Sequence, residues 1–162
     1  SENPTIFIDH QRLQGVTGMV DDDSPGEIPL GVAEVKRDGT DVTIVAVSVM
    51  VARALEAAER LAADGISAEV VDPRTLVPLD KDTILKSVAK TGHVVVADES
   101  QLRCGIAAEL SAIIVEEGFE SLKAPIKRVG IPNVPIPFHE SEEQFITPTA
   151  DKIIAAVKSI CN

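Results

Sequence analysis

The chain has 162 residues, 44 % of them apolar but only 2 % aromatic, and a net charge of −11. That length suits one domain with an appendage, and the Val, Ile, Leu and Ala surplus suits a buried parallel sheet flanked by helices. The acidity lacks the basic footprint that phosphate contact needs, so no nucleic acid is expected, and no apolar run approaches the roughly 18 residues of a membrane span.

Residues 4–8, from Pro4 to Ile8, read as a short strand. From His10 to Gly31 no periodicity is evident, and Gly15, Gly18, Asp21, Asp22, Asp23, Pro25, Gly26 and Pro29 punctuate the stretch. So long an unpatterned stretch marks a linker or a functional loop. Residues 1–31 are therefore expected to be the end of one domain plus an interdomain linker, with 32–162 as the domain proper. The chain opens on Ser1 without a signal-peptide pattern, as expected of a processed chain or a piece of a longer one. Its two cysteines, Cys104 and Cys161, suit a reducing compartment.

Compact structure is expected from Val32. Val32–Lys36 reads as a strand, and Asp38-Gly39-Thr40-Asp41 as a turn that would pair it antiparallel with the next strand, Val42–Val47. Ser48 is the expected N-cap of a helix carrying Val51, Ala54, Leu55, Ala58, Leu61 and Ala62 on one face, stopped by Gly65. Next comes one βαβ unit. A strand at Ala68–Val71 runs into Asp72, a loop spans Pro73 to Pro78, and Asp80 caps a helix to Lys90. A strand at His93–Ala97 then ends in Asp98 and Glu99. Both strands thus carry acids at their carboxyl ends, where parallel sheets meet ligands.

Ile106, Leu110, Ile113 and Ile114 give a helix within Arg103–Gly118, and Ile126–Gly130 a fifth strand. The prolines of Ile131–Phe138 require an extended arm. Thr147-Pro148 opens a last helix with Ile153, Val157, Ile160 and Cys161 buried. The expected fold class is α/β: a three-layer α/β/α sandwich around a five-stranded, mostly parallel sheet with one antiparallel strand.

Few motifs carry chemistry. Neither GxGxxG nor GxxxxGK[ST] follows a strand, so no loop cradles a phosphate. Asp21 to Asp23 lack calcium-loop spacing and read as a solvated turn. His93 and His139 form no HxxxH or HExxH pair, so no metal is expected, and there is no GxSxG serine. Asp72 and Asp98 read as helix caps or as partners of Arg74 and Arg103 rather than as proton-transfer groups. His10 directly follows an apolar run, which suits a residue at the mouth of a site shared with another domain.

Several segments, in order along nearly the whole chain, resemble one family. They are Pro4-Thr-Ile-Phe-Ile-Asp-His10, Ile28-Pro-Leu-Gly-Val-Ala33, Gly39-Thr-Asp-Val-Thr-Ile-Val45, Val71-Asp-Pro-Arg-Thr-Leu-Val-Pro-Leu-Asp80, Lys90-Thr-Gly92, Ala124-Pro125 with Arg128-Val129, and Pro135-Ile-Pro-Phe138. Together they look like the C-terminal domain of the transketolase-like family. Within it they are most similar to the β subunit of the E1 component of 2-oxo acid and acetoin dehydrogenase complexes. Pro73 departs from the family's usual Leu, and Gln14 from the Tyr usual in the segment after the His.

The resemblance implies a thiamine diphosphate- and Mg²⁺-dependent parent enzyme whose cofactor lies between the pyrimidine-binding domain of β and the diphosphate-binding domain of α. The catalytic Glu lies in the pyrimidine-binding domain, so no catalytic and no cofactor-binding residue is expected here. His10 is the substrate-channel candidate, at a position where transketolases carry an Arg. The implied partners are the α subunit of the E1 component, a second β subunit and the peripheral-subunit-binding domain of the E2 acyltransferase. A homodimer and a bacterial cytoplasmic location, with the mitochondrial matrix as alternative, are further expectations. The remaining alternatives are the C-terminal domain of a transketolase or deoxyxylulose-phosphate synthase, and a stand-alone flavodoxin-like binding module.

Overall fold

The computed structural model describes residues 4–6, 8–19 and 28–161. The aspartates at 21–23 lie outside the described residues. Five strands form one sheet: β1 (Glu34–Arg37), β2 (Val42–Ala46), β3 (Ala68–Asp72), β4 (Val94–Gln101) and β5 (Lys127–Ile131), in the order β1-β3-β2-β4-β5. β2, β3, β4 and β5 run parallel, and β1 runs antiparallel along the outer edge of β3.

The strands are legible because their side chains alternate between two apolar layers. Val42, Ile44 and Ala46 of β2, with Val70, Val95 and Ala97, face α1 (Met50–Ala63) and α5 (Ala150–Lys158). Val45, Val71, Val94 and Val96 face α2 (Lys81–Thr91) and α3 (Ile106–Gly118) on the other side. Each Val or Ile side chain taken fully from water contributes about 1.5–3 kcal/mol. The expected α/β/α sandwich with a single antiparallel strand is the observed one.

The hairpin expected between the first two strands does not form. β2 is buried along its whole length and has both edges occupied, by β3 and β4. β1 therefore takes the free edge of β3, and the turn after it lies over the start of β3. The N–H groups of Thr40 and Asp41 both donate to the Ser67 carbonyl. Glycine is required here, since a Cβ on Gly39 would sit 2.2 Å from the backbone nitrogen of Glu69.

Other details also differ. Ser48 does not cap α1; it takes a left-handed φ of 56°, and the helix starts beyond it with Val49 as the uncapped N-cap. Ala57, not Ala62, completes the buried face of α1. Thr149, rather than Thr147, caps α5 by accepting from the Lys152 N–H. Ile6 and Ile8 are exposed and carry no strand pairing, because no edge of the sheet lies against them. The extended arm gives way to a short helix, α4 (Glu140–Ile146), whose acidic first turn suits the positive end of a helix. Asp80 caps α2 as expected, and Gly92 ends it with φ 77°.

Candidate functional site

The strand order reverses between β2 and β4, so a crevice opens between their carboxyl ends, the usual ligand position of an open parallel sheet. Arg53, in the first turn of α1, reaches across it. Its Nη1 lies 2.9 Å from Glu99 Oε1 on β4 and donates to the Pro148 carbonyl at 2.5 Å. His10 approaches from the N-terminal segment and closes the other side, with Nε2 2.7 Å from Glu99 Oε2.

Hydrogen-bond logic sets the imidazole tautomer. His10 Nδ1 accepts from the Arg12 backbone N–H at 3.2 Å, so it holds a lone pair. The ring proton of the neutral imidazole is therefore on Nε2, donating to Glu99. The same 3₁₀ turn, Gln11–Leu13, presents Arg12, whose guanidinium spans Glu99 at 3.7 Å and Glu143 of α4 at 2.8 Å. One carboxylate thus gathers three cationic or imidazole groups from two segments, the N-terminal turn and α1. Glu99, His10 and Arg53 are partly buried, where charge pairs are strengthened without full desolvation, while Arg12 is exposed.

Beside this cluster a cleft of about 650 Å³ opens at the ends of β2 and β3. Val47, Ser48 and Val51 form one wall, Asp72 and Arg74 another, and Leu13 enters from the N-terminal segment. Ser48 and Arg74 both hold left-handed backbones, φ 56° each, which is uncommon for residues other than glycine. Asp72 Oδ1 accepts the Arg74 N–H at 2.9 Å and fixes that turn, while Arg74 Nε donates to the Val32 carbonyl at 2.9 Å.

The structure thus brings His10 and Glu99 together and leaves the other strand-end acids in local roles. Asp72 meets Arg74 through its backbone, and Asp98 accepts from the Ser100 hydroxyl rather than pairing with Arg103. Asp80 accepts from the N–H groups of Ala33 and Thr83 and from the Thr83 hydroxyl. Burial opposes its charge, but these donors outweigh that and hold its carboxyl below the usual range. Sequence reasoning missed Arg53, Arg12 and Glu143. Their signal is weak: Arg53 lies 46 positions from Glu99 and Arg12 lies 131 from Glu143, so no local spacing links the partners.

Glu69 was missed too. It is 1 % exposed at the amino end of β3, accepts from the Gly39 N–H at 3.3 Å and pairs with Lys90 of α2. A Glu inside the apolar run Ala68–Val71 was the available sign.

Residues 31–153 match the family described as transketolase, C-terminal domain. The chain belongs to that family. It is 47 % identical over 156 residues to the β subunit of acetoin:2,6-dichlorophenolindophenol oxidoreductase of Cupriavidus necator, covering 96 % of this chain and 46 % of the relative. It is 41 % identical over 160 residues to the pyruvate dehydrogenase E1 component subunit beta of Rickettsia bellii, covering 99 % of this chain and 49 % of the relative. The chain thus spans about half the length of the curated relatives it matches. Among solved structures, a split gene transketolase, described as an inactive beta4 tetramer, superposes with a TM-score of 0.76 at 34 % identity, over 91 % of this chain and 47 % of that one.

Proposed function

We propose that this transketolase C-terminal domain is the assembly and docking domain of the β subunit of a thiamine diphosphate-dependent E1 component. The parent decarboxylates a 2-oxo acid or cleaves acetoin and passes the acyl group to the lipoamide of an E2 acyltransferase. Residues 1–31 are then the end of the pyrimidine-binding domain and its linker, and 32–162 the C-terminal domain. What carries the reading is the uninterrupted likeness to β subunits of such enzymes across 96 % or more of the chain.

The residues present do not fit the cofactor. Activating an aminopyrimidine needs a carboxylate free to bond it, whereas Glu99 is committed to His10 and Arg53, and Asp98 to Ser100. Among the described residues no group of three His, Cys, Asp or Glu side chains could hold a metal ion. On this reading the chemistry lies in other segments of the parent, and this chain supplies His10, held at the crevice mouth by Glu99 and Arg53, to the substrate channel.

Docking of a basic E2 peripheral-subunit-binding domain is consistent with the net charge of −11 and the acidic first turn of α4. Self-association is consistent with the beta4 assembly of the structural relative. The test is an assay of the isolated chain with thiamine diphosphate, Mg²⁺ and pyruvate or acetoin. No turnover is expected until the α subunit and the rest of β are supplied, and turnover by the chain alone would sink the proposal.

A further inference from the structure

The chain's charge is not evenly spread. Where α3 ends and β5 begins, a groove of about 520 Å³ is walled by Val115, Phe119, Leu122 and Pro125, with Lys123 and Arg128 on its rim. Phe119 is 68 % exposed, a large apolar surface to leave in water. Among the described residues no carboxylate lines the groove, although acids outnumber bases 26 to 15 in the chain. The nearest acids in sequence, Glu116 and Glu120, are exposed and outside its lining.

The two cations are held in place without being neutralised. Lys123 Nζ donates to the Thr91 carbonyl at 3.3 Å, and its stem lies against Gly92. Arg128 Nη1 donates to the Leu102 carbonyl at 2.7 Å. Neither is ion-paired among the described residues, whereas Arg12, Arg53, Arg60, Lys81 and Lys90 all are. Carbonyl partners orient a cation but leave its charge available to an incoming anion.

We infer that this groove is a docking site for an acidic protein segment with an aromatic or aliphatic anchor. The anchor packs against Phe119 and Val115 while flanking carboxylates meet Lys123 and Arg128. The required partner is thus opposite in sign to the basic one that the overall charge favours, and the site lies at the amino end of β5, away from the His10 cluster. It goes beyond the proposed function and does not depend on it.

The test uses the 162-residue chain and a fluorescein-labelled peptide, Glu-Leu-Glu-Glu-Phe-Glu-Glu-Leu. A Lys-for-Glu version and a version with Ser at the apolar positions are the controls. The acidic peptide is expected to bind by anisotropy, to shift the amide resonances of Val115, Phe119 and Ala124, and to weaken with salt. Both controls should bind at least about tenfold more weakly, and Lys123→Glu with Arg128→Glu should reverse the preference toward the Lys peptide. Phe119→Ser should weaken the acidic peptide without reversing it. Circular dichroism verifies that each variant is folded. Absence of binding to the unaltered chain, or binding that the charge reversal leaves unchanged, overturns the inference.

Discussion

Glu69 and Glu99 sit at opposite ends of the sheet, and each is ion-paired, but they do different work. Glu69, at the amino end of β3, is nearly inaccessible and bonds only parts of its own domain, the Gly39 turn and Lys90 of α2. Glu99, at the carboxyl end of β4, is partly open and bonds a segment outside the sandwich through His10 and Arg12. A buried acid with domain-internal partners holds a fold together. A half-exposed acid with partners from other segments positions something that other segments use.

The largest expected effect lies at the amino end. Lys90→Met strips the buried Glu69 carboxylate of its counter-charge and should cost about 2–3 kcal/mol by urea denaturation. A cost below about 0.5 kcal/mol would mean that Glu69 holds the fold no more firmly than a surface ion pair does.

Asp80 comes next. Asp80→Ala removes the α2 cap and the acceptor of the Ala33 N–H, so about 1–2 kcal/mol should be lost. The folded carboxyl titrates below its unfolded value, so its contribution is complete above about pH 4. It fades as pH falls through the lowered folded value. The Tm gap between the native chain and Asp80→Asn should therefore narrow on going from pH 7 to pH 3. A gap that widens would reverse the assigned sign.

Glu99→Gln should change stability by less than about 1 kcal/mol, because its partners remain hydrated when released. Its effect should instead be on His10, whose Nε2–H loses a charged acceptor to an amide that can equally present its N–H₂ to the ring. Nitrogen-15 chemical shifts of the imidazole should move toward a mixture of tautomers, and an unchanged spectrum would deny Glu99 that role.

The two thiols give the smallest contrast. Cys104, past the carboxyl end of β4, is exposed. The Cys161 thiol is pushed up by burial and by the nearby Asp41 charge. Iodoacetamide should alkylate Cys104 first, as followed by peptide mass mapping. Equal rates would contradict the difference in environment.

The fold was legible where local pattern and tertiary packing agree. The buried run Val42–Val45, the stripe Val51-Ala54-Ala58-Leu61 and the Asp80 cap announce themselves within a few residues. The partner of β1 was not legible, because a turn signal reports only that the chain reverses and not which edge is free. The short α4 was obscured by the prolines before it. At the site, His10 and Glu99 were each visible as strand-end residues. Their meeting was not, since they lie 89 positions apart, and neither was the Arg53 contact to Glu99, because sequence alone marks Arg53 only as a polar residue of a helix.

Under the proposed function, the Glu99–Arg53 pair presents His10 to a substrate channel completed by the rest of the parent. The most direct measurement is 2-oxo acid or acetoin turnover by the intact αβ parent carrying His10→Ala, with thermal stability recorded in parallel. A fall in kcat/KM of about 100-fold or more is expected, with little change in Tm. An unchanged kcat/KM, with every substrate that the unaltered parent turns over, would contradict it.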